Sequence, residues 1–220
     1  MSNLEKFRSR FVVLDGPDGA GKSTQIALLA QRLRGAVEVV AVRDPGGTVI
    51  GDRIRGILLD NAHHDMAVEC ELLLYMASRA QLVSQVIRPA LERGACVVGD
   101  RYVSSTVAYQ GAGGTDTGAI RRVADIAVGG LWPDVTVILD LPAETGLARV
   151  GRRAAETGHR RDRMEVRGLE FHGRVRDLFL QQARERPADF AVVDATRSAE
   201  VVHEDVWKAV TKKIVTSDKR

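Results

Sequence analysis

The sequence predicts an α/β fold in which a doubly wound, parallel five-stranded sheet is flanked by helices on both faces. Short apolar runs rich in Val, Ile and Leu alternate along the chain with longer segments of helical periodicity. Such continuous apolar runs are typical of strands that are buried on both faces, as in parallel sheets. The chain has 220 residues, of which 45% are hydrophobic and 28% charged, which suits one globular domain. We therefore expect residues 1–220 to form a single domain.

Each element follows from its apolar pattern and from the turn signals around it. The predicted strands cover residues 11–14, 37–42, 96–99, 135–139 and 190–193. Helices are predicted at residues 24–34, 50–58 and 201–214, and a long helix at residues 69–92 is expected to bend near Pro89. In a parallel sheet, ligands bind beyond the carboxyl ends of the strands. The residues that directly follow the strands are therefore the candidates for chemistry.

The charge distribution argues against nucleic-acid binding. The chain carries 32 Lys and Arg against 29 Asp and Glu, and its sequence pI is about 9.1. Its basic residues are concentrated in one stretch, residues 149–167, instead of along a face with interleaved aromatic residues. Local phosphate binding is the better interpretation of this pattern, and we expect no nucleic-acid partner.

We expect a cytoplasmic protein without a membrane span. No apolar run approaches the roughly 18 residues that a membrane span needs, and the N-terminal segment MSNLEKFRSR lacks the apolar core of a signal peptide. Cys70 and Cys96 lie in apolar runs without a CxxC or histidine partner at metal spacing, so both are predicted to be reduced core residues. His63 and His64 alone are too weak a pattern to predict a metal site.

A glycine-rich loop follows the first predicted strand. Residues 16–23 read GPDGAGKS, which matches the GxxxxGK[ST] pattern of a Walker A loop between a strand and a helix. In such a loop, backbone N–H groups surround the β-phosphate, the lysine contacts the β- and γ-phosphate oxygens, and the serine hydroxyl binds Mg²⁺. The fold is therefore expected to be of the P-loop NTPase type. The nucleotide-binding residues would be Gly16, Asp18, Gly19, Ala20, Gly21, Lys22, Ser23 and Thr24.

Asp100 and Arg101 follow the third predicted strand and should lie beside this loop. The Asp100 carboxylate is a candidate for the Mg²⁺ shell, and the Arg101 guanidinium is a candidate phosphate ligand. Asp140, at the end of the fourth predicted strand, is a rival for the metal role. We prefer Asp100 because an arginine and several hydroxyl residues follow it directly.

The long helix presents Glu71, Tyr75 and Arg79 on one face, since they are spaced four residues apart. The ring of Tyr75 can stack on a base, and the guanidinium of Arg79 can donate two hydrogen bonds to a carbonyl or phosphate. A tyrosine in such a helix is also common in a hydrophobic core, and an arginine on a solvated surface, so both alternatives stay open.

The arginine-rich stretch is predicted to form a lid over approximately residues 149–165. Helix-forming residues flank a flexible centre at Gly158, and the arginines would neutralise charge on a transferring phosphoryl group. The alternative is a solvated basic helix.

Six ordered blocks of this chain resemble the thymidylate kinase family, from Phe11 to about Val210. The blocks are FVVLDGPDGAGKST, RDPGGT with IRGILL behind it, ELLLYMASRA, DRYVSSTVAYQG, a lid that ends in DRME, and VVDA. The resemblance implies transfer of the γ-phosphoryl group of MgATP to dTMP, which gives dTDP and ADP, and it implies a homodimer. Two alternatives are a nucleoside monophosphate kinase for another or modified pyrimidine nucleotide, and a P-loop switch that binds a partner protein.

The resemblance also implies roles for individual acceptor-site residues. Tyr75 would stack on thymine, and Arg79 would donate a hydrogen bond to it. Arg55 and Arg101 would hold the acceptor phosphate, and Tyr109 would lie near the sugar, where its bulk favours a 2′-deoxyribose. Asp44 and Pro45 would shape the pocket near the sugar, and Thr106 and Gln110 would lie near the base edge. The acceptor-binding residues are thus Asp44, Pro45, Arg55, Tyr75, Arg79, Arg101, Ser105, Thr106, Tyr109 and Gln110.

In the part of the family that this chain resembles, an acidic residue replaces a catalytic arginine of the P-loop, and the lid supplies the arginine. Asp18 and the basic lid fit this arrangement. Arg153 and Arg160 are the leading candidates for clamping the phosphoryl group, whereas Arg149 and Arg163 are expected to be structural or to lie on the adenine side. The implied catalytic residues are Lys22, Arg101, Asp18, Arg153 and Arg160.

Several positions depart from the family pattern and bear on the choice of acceptor. Asp15 and Asp44 replace glutamate, Tyr75 replaces phenylalanine, Ser78 replaces aspartate, and residues 111–114 lack an arginine. A shorter carboxylate at position 44 and an added hydroxyl at position 75 leave room for an altered acceptor, such as a modified deoxyuridylate.

Overall fold

The computed structural model describes residues 4–158 and 161–217, and it contains a five-stranded sheet. The strands are β1 (Phe11–Asp15), β2 (Val39–Arg43), β3 (Cys96–Asp100), β4 (Val135–Asp140) and β5 (Phe190–Asp194). All neighbouring strands are parallel, in the order β2-β3-β1-β4-β5. The predicted fold class is confirmed. Central strand β1 pairs with β3 on one side and β4 on the other, the arrangement that opens a crevice at the carboxyl edge.

Every strand ends one residue beyond the predicted apolar run, on a charged residue. These residues are Asp15, Arg43, Asp100, Asp140 and Asp194. The pairing continues because backbone hydrogen bonds of the ladder do not depend on side-chain polarity: Arg43 lies opposite Asp100, and Asp140 opposite Asp194. Charged groups are therefore held at the carboxyl edge by the sheet itself.

Helices connect the strands throughout the described ranges. They are α1 (Lys22–Leu33), α2 (Val49–Leu59), α3 (Val68–Leu82), α4 (Arg88–Glu92), α5 (Val103–Ala112), α6 (Thr117–Val128), α7 (Ala143–Thr157), α8 (Leu169–Glu185) and α9 (Ala199–Ser217). A π-helical turn, Val83–Ile87, joins α3 to α4. The predicted long helix is therefore present, and this turn interrupts its regular geometry just before Pro89. Proline cannot donate to the carbonyl four residues earlier, which explains why the preceding turn widens. No helix in the described ranges combines the length and the apolar character that crossing a bilayer requires.

The two faces of the sheet pack against different helices. On β1, Val12 and Leu14 belong to a core that includes α1 and α9, while Phe11 and Val13 belong to a core that includes α3 and α6. A third apolar cluster joins α5 to α8 around Ile138. Burial on both sides holds the central strands rigidly, and with them the residues at their carboxyl ends.

The two cysteines differ in their surroundings. Cys96 is buried in β3 as predicted, but Cys70 is exposed on α3, so the prediction of a core position for Cys70 is wrong. The buried face of α3 carries Leu72 and Met76, and Cys70 lies away from it. An apolar run does not decide burial in a helix, because only one face meets the core. Both thiols are free.

Candidate functional site

A cleft of about 470 Å³ lies beyond the carboxyl ends of β1, β2 and β3, and its size is typical of small-molecule sites. Most of the predicted site residues line it, namely Asp18, Gly19, Gly21, Lys22, Ser23, Thr24, Asp44, Pro45, Arg55, Tyr75, Arg79, Asp100, Arg101, Ser105, Thr106, Tyr109, Gln110 and Arg153. Gly16 and Ala20 form part of the loop without lining the cleft. Arg160 lies outside the described residues.

The loop between β1 and α1 has a backbone suited to holding phosphate. Gly16, Gly19 and Gly21 have φ values of 135°, 78° and 85°, a region that residues with a Cβ rarely adopt. A Cβ on Gly16 would also lie 2.5 Å from the carbonyl oxygen of Leu139. Gly21 directly precedes α1, and no side chain caps that helix. The N-terminus of α1 is therefore an anion-binding end that opens onto the cleft.

Lys22 is the first residue of α1, and its ammonium group lies inside the loop. Nζ donates hydrogen bonds to the carbonyl oxygens of Gly16, at 3.1 Å, and Pro17, at 2.9 Å. Burial, followed by repulsion from Arg101, lowers the pKa of Lys22 to about 8, against the attraction of Asp18 and other nearby carboxylates. A phosphate in the cleft would place a negative charge beside Nζ and would raise the pKa of Lys22 back toward its ordinary value.

The oxygen atoms that could contribute to a magnesium site are on Ser23 and Asp100. The Ser23 hydroxyl donates a hydrogen bond to Oδ2 of Asp100 at 3.1 Å, and both residues line the cleft. The rival carboxylate, Asp140, instead accepts two hydrogen bonds from Arg176, at 2.7 and 2.9 Å. Across the parts of the chain that the structure describes, no group of three or more His, Cys, Asp or Glu could hold a metal by itself. Mg²⁺ bound by one carboxylate, a hydroxyl and substrate phosphates fits this donor set.

Asp18 joins the P-loop to the residues that follow β3. Its Oδ1 accepts a hydrogen bond from Nη2 of Arg101 at 2.5 Å, and its Oδ2 accepts one from the Tyr109 hydroxyl at 2.8 Å. Burial alone would raise the pKa of Asp18, but the charges of Arg101 and Lys22 and the Tyr109 hydrogen bond bring it below its ordinary value. Asp18 is therefore ionised at neutral pH.

The backbone and side chain of Arg101 are both tightly held. Its φ of 70° is rare for a residue other than glycine. Its backbone N–H donates to the carbonyl of Leu14 at 3.1 Å, and Nη1 donates to the Ser105 hydroxyl at 2.9 Å. Ser105 in turn donates to Oδ1 of the fully buried Asp15 at 2.7 Å. Ser105 thus contacts Arg101 directly, a position from which it orients the guanidinium.

Arg79 lies at the buried end of the cleft. It is 1% exposed, so the alternative of a solvated arginine is wrong. Nε donates to Oδ2 of Asp44 at 2.5 Å, Nη2 donates to the Thr106 hydroxyl at 2.9 Å and to the Tyr102 carbonyl at 3.2 Å, and Nη1 contacts Sδ of Met76 at 3.1 Å. Burial raises the pKa of Asp44 despite the charge of Arg79. The other Asp44 oxygen, Oδ1, is buried without a hydrogen-bond partner in the described structure.

Tyr75 is half-buried and lines the cleft, so the alternative of a core position does not hold. One turn earlier on α3, Glu71 is buried and accepts hydrogen bonds from Gln110, at 2.6 Å, and from Arg163. Arg163 also donates Nε to the carbonyl of Leu58 at 3.0 Å. The amide of Gln110 is thereby oriented at the side of the cleft, and Arg163 ties the end of the lid segment to α2 and α3.

The first part of the predicted lid is the C-terminal half of α7. Arg149 donates Nη1 to the carbonyls of Gly19 and Ala195, each at 3.3 Å. Arg153, one turn later, is largely exposed and donates to Glu165 at 2.8 Å. Arg153 therefore lies over the cleft with its charge paired, while Arg149 contacts the backbone of the P-loop.

Some residues that line the cleft were not assigned a role from the sequence. They are Arg43, Leu59, Val150, Asp162, Met164 and Glu165. The DRME block did carry a signal for three of them. In the structure, Oδ1 of Asp162 accepts hydrogen bonds from the backbone N–H groups of Met164, at 2.8 Å, and Glu165, at 2.9 Å. This turn places the Glu165 carboxylate opposite Arg153.

Comparisons with known proteins agree on one family. A family model described as thymidylate kinase matches residues 14–206. A thymidylate kinase from Thermomicrobium roseum is 51% identical over 206 residues, which cover 93% of this chain and 95% of that protein. One from Nitratidesulfovibrio vulgaris (strain Miyazaki F) is 48% identical over 204 residues, with 91% and 95% covered. The crystal structure of thymidylate kinase from Ehrlichia chaffeensis superposes with a TM-score of 0.74 at 30% identity, covering 92% of this chain and 98% of that one.

Proposed function

This chain belongs to the thymidylate kinase family, and we propose that its cleft transfers the γ-phosphoryl group of ATP to dTMP, with the P-loop binding the donor and the opposite wall binding the acceptor. The contact between Asp18 and Arg101 carries this proposal. It places the predicted acceptor-phosphate ligand directly against the donor loop. Direct transfer requires the reacting atoms to approach within about 3–3.5 Å, so the two sites have to adjoin in this way.

On the donor side, the loop supplies backbone N–H groups from Gly16 to Gly21 and the charge of Lys22. The glycine conformations and the uncapped start of α1 support binding of the β-phosphate there. Lys22, held by two carbonyl oxygens of the loop, is the group that we assign to the β- and γ-phosphate oxygens. Arg149 donates a hydrogen bond to the Gly19 carbonyl, and we propose that it supports the backbone of the loop.

On the acceptor side, we propose that the thymine ring stacks on Tyr75 and that Arg79 contacts the base at the buried end of the pocket. Four N–H groups of Arg79 are used by Asp44, Met76, Thr106 and the Tyr102 carbonyl, and a guanidinium has five. Within the described contacts, one N–H therefore remains for the base. The unpartnered Oδ1 of Asp44 supports a further polar contact with the acceptor near the sugar.

The acceptor phosphate is assigned to Arg55 and Arg101. Arg55 lines the cleft and donates Nη1 to the carbonyl of Pro45 at 3.1 Å, and burial lowers its pKa. A bound phosphate would offset that cost of burial. Because the acceptor is already anionic near neutral pH, no strong general base is needed, and catalysis comes from positioning and charge neutralisation. The neutralising groups are Lys22 and Arg101 with the lid arginines Arg153 and Arg160, while Asp18 orients Arg101.

We propose Mg²⁺ as the cofactor, held by the Ser23 hydroxyl and the Asp100 carboxylate. Their separation of 3.1 Å and their position beside the P-loop support this assignment. A bound Mg²⁺ would supply Lewis-acid charge to the donor phosphates.

We further propose that the protein is a homodimer. Helix α3 packs between α2 and α6, and these three helices expose large apolar side chains at Ile50, Ile57, Leu73 and Ile126. Exposed apolar surface of this kind marks protein interfaces. A cytoplasmic location is supported by the use of ATP and by the free thiols of Cys70 and Cys96.

The test is a panel of acceptors in a coupled assay of ADP release. The wild-type protein is given MgATP with dTMP, dUMP, UMP or CMP at matched concentration, and we expect the largest kcat/KM for dTMP. The matched control is Lys22→Ala, which keeps the acceptor pocket and should lose turnover with every acceptor. A higher kcat/KM for UMP or CMP than for dTMP would contradict the proposed acceptor.

A further inference from the structure

The P-loop and helix α7 touch backbone to backbone at two glycines. A Cβ built on Gly19 would lie 2.4 Å from the carbonyl oxygen of Gly146, and a Cβ built on Gly146 would lie 2.4 Å from the carbonyl oxygen of Asp18. Ordinary contacts of a Cβ begin at 3.4 Å. In both cases the obstructing atom belongs to the backbone, so it cannot rotate away as a side chain would.

A glycine inside a helix needs a reason, because alanine is more favourable at such positions. Gly146 lies in the first half of α7, on the buried face that it shares with Ala143 and Val150. Gly173, inside α8, shows the contrast, since a Cβ there would meet nothing within 4 Å. At position 146, by comparison, the absence of a Cβ is what permits the observed approach to the P-loop.

The depth at which α7 lies against the loop also sets the position of the arginines that follow. Arg149 reaches the carbonyl of Gly19 less than one turn after Gly146. Arg153 lies seven residues after Gly146, on the part of α7 that lines the cleft. A displacement of α7 at Gly146 is therefore carried rigidly to both guanidinium groups.

The P-loop is the less movable partner in this contact. Lys22 binds two of its carbonyls, and Asp18 is held by Arg101 and Tyr109. Restoring a contact of 3.4 Å at position 146 would thus push α7 outward by about 1 Å, and a shift of that size can lower a rate roughly 100-fold.

We propose that Gly146 is a positioning residue for phosphoryl transfer: it lets α7 dock on the P-loop at the depth that brings Arg149 to the backbone of the loop and Arg153 over the donor phosphates. This inference rests on the proposed function, because it gives Gly146 a supporting role at the same site. The acceptor pocket around Asp44, Arg79 and Thr106 is built from the segment after β2, from α3 and from α5, and it should be insensitive to the position of α7.

The test compares donor-side and acceptor-side properties of full-length Gly146→Ala. We expect kcat/KM for ATP to fall by about 10- to 100-fold, while the Kd for dTMP measured by calorimetry stays within about twofold of the wild-type value. The stoichiometry of dTMP binding counts folded protein directly. If the substitution acted only on stability, kcat per bound dTMP site and KM for ATP would both keep their wild-type values, and the proposal would be wrong.

Gly173→Ala is the matched control, because it makes the same change in a helix where the new methyl group has free space. It should keep wild-type kinetics and gain stability. Gly146→Ala is also made in the Gly173→Ala background, so that the kinetics can be read in a stabilised protein if the single variant is recovered poorly. A selective loss of donor-side efficiency there supports the proposal, and wild-type kinetics there overturn it. Wild-type protein that fails to phosphorylate dTMP would instead overturn the proposed function.

Discussion

Nη2 of Arg101 donates a hydrogen bond to Oδ1 of Asp18 at 2.5 Å, and this ion pair joins the two halves of the cleft. Asp18 belongs to the P-loop between β1 and α1, while Arg101 directly follows β3. The same guanidinium also donates to Ser105 and to the carbonyl of Gly16. Charge-assisted contacts of this kind fix both distance and orientation. The group proposed to hold the acceptor phosphate is thus positioned by the loop that is proposed to hold the donor.

Arg101→Ala should lower kcat by about 10²–10³, because it removes a preorganised charge beside the transferring group. Lys22→Ala should have an effect of similar size. Both variants should keep the wild-type circular dichroism spectrum, since the fold does not depend on these contacts. Arg121→Ala, at a partly exposed position on α6 and paired only with Glu185 among the described contacts, is the control with near wild-type turnover. Near-normal activity in Arg101→Ala or Lys22→Ala would rule out this mechanism.

The pH dependence of ATP use should report Lys22. Its pKa of about 8 in the free enzyme means that the charged amine predominates below pH 8 and is lost as the pH rises above it. Since binding phosphate requires the charged form, kcat/KM for ATP should fall above about pH 8, approaching tenfold per pH unit. Measured with saturating ATP, kcat should remain level to higher pH, because bound phosphate stabilises the charged amine. Lys22→Arg, whose charge persists, should remove the decline in kcat/KM; a wild-type profile that stays level to pH 10 would contradict the assignment.

Asp44→Ala should lower the free energy of unfolding by about 3–5 kcal/mol, because it leaves the buried charge of Arg79 without its carboxylate partner. Urea denaturation monitored by fluorescence measures the change. Glu170→Ala removes the partner of Arg174 in an exposed pair on α8 and should cost no more than about 0.5 kcal/mol. Combining Asp44→Ala with Arg79→Met should recover part of the lost stability. If Asp44→Ala is no more destabilising than the exposed control, the buried pair does not have this role.

Ile126→Glu should dissociate the proposed homodimer. Ile126 is 84% exposed on α6, and a charge there would have to be desolvated in an interface. Light scattering after size exclusion should give the mass of a dimer for the wild type and of a monomer for the variant. Val201→Glu, on α9 across the sheet, should leave the mass unchanged. A wild-type protein with the mass of a monomer would exclude the proposed assembly.

Lid variants should separate clamping arginines from solvated ones. Arg153→Ala and Arg160→Ala are each expected to lower kcat by about 10- to 100-fold if their charge acts on the transferring group. Arg152→Ala, at an exposed position on α7 next to Arg153, should leave kcat unchanged. Steady-state kinetics with saturating ATP and dTMP measure the effect. Equal and small effects in all three variants would favour a solvated basic helix.

Much of this architecture was predictable because its causes are local. The strands follow from apolar runs, and the P-loop follows from a spacing of glycines, lysine and serine within eight residues. Even so, all five strands extend one residue beyond their apolar runs, since the backbone ladder continues through charged residues. The preference for Asp100 over Asp140 as the magnesium ligand rested on neighbouring residues in the sequence. The structure adds that Asp140 accepts two hydrogen bonds from Arg176.

Burial on helices was less predictable from the chain alone. Cys70 and Arg79 both lie on α3, yet the cysteine is exposed and the arginine is 1% exposed. Hydropathy alone would predict a buried cysteine and an exposed arginine. Burial on α3 depends on which of its faces meets α2, α5 and α6. It also depends on Asp44 and Thr106, which accept hydrogen bonds from the buried guanidinium.

The sequence by itself determined the fold class, the P-loop and the set of side chains at the carboxyl edge of the sheet, because these depend on short-range spacing and on the hydrophobic pattern. Only the tertiary structure decided that Asp18 pairs with Arg101, that Asp44 pairs with Arg79, and that Gly146 touches the P-loop. These contacts join residues that are 83, 35 and more than 100 positions apart along the chain. Their geometry is set by how α3, α5 and α7 pack around the sheet, and no local pattern encodes the resulting distances.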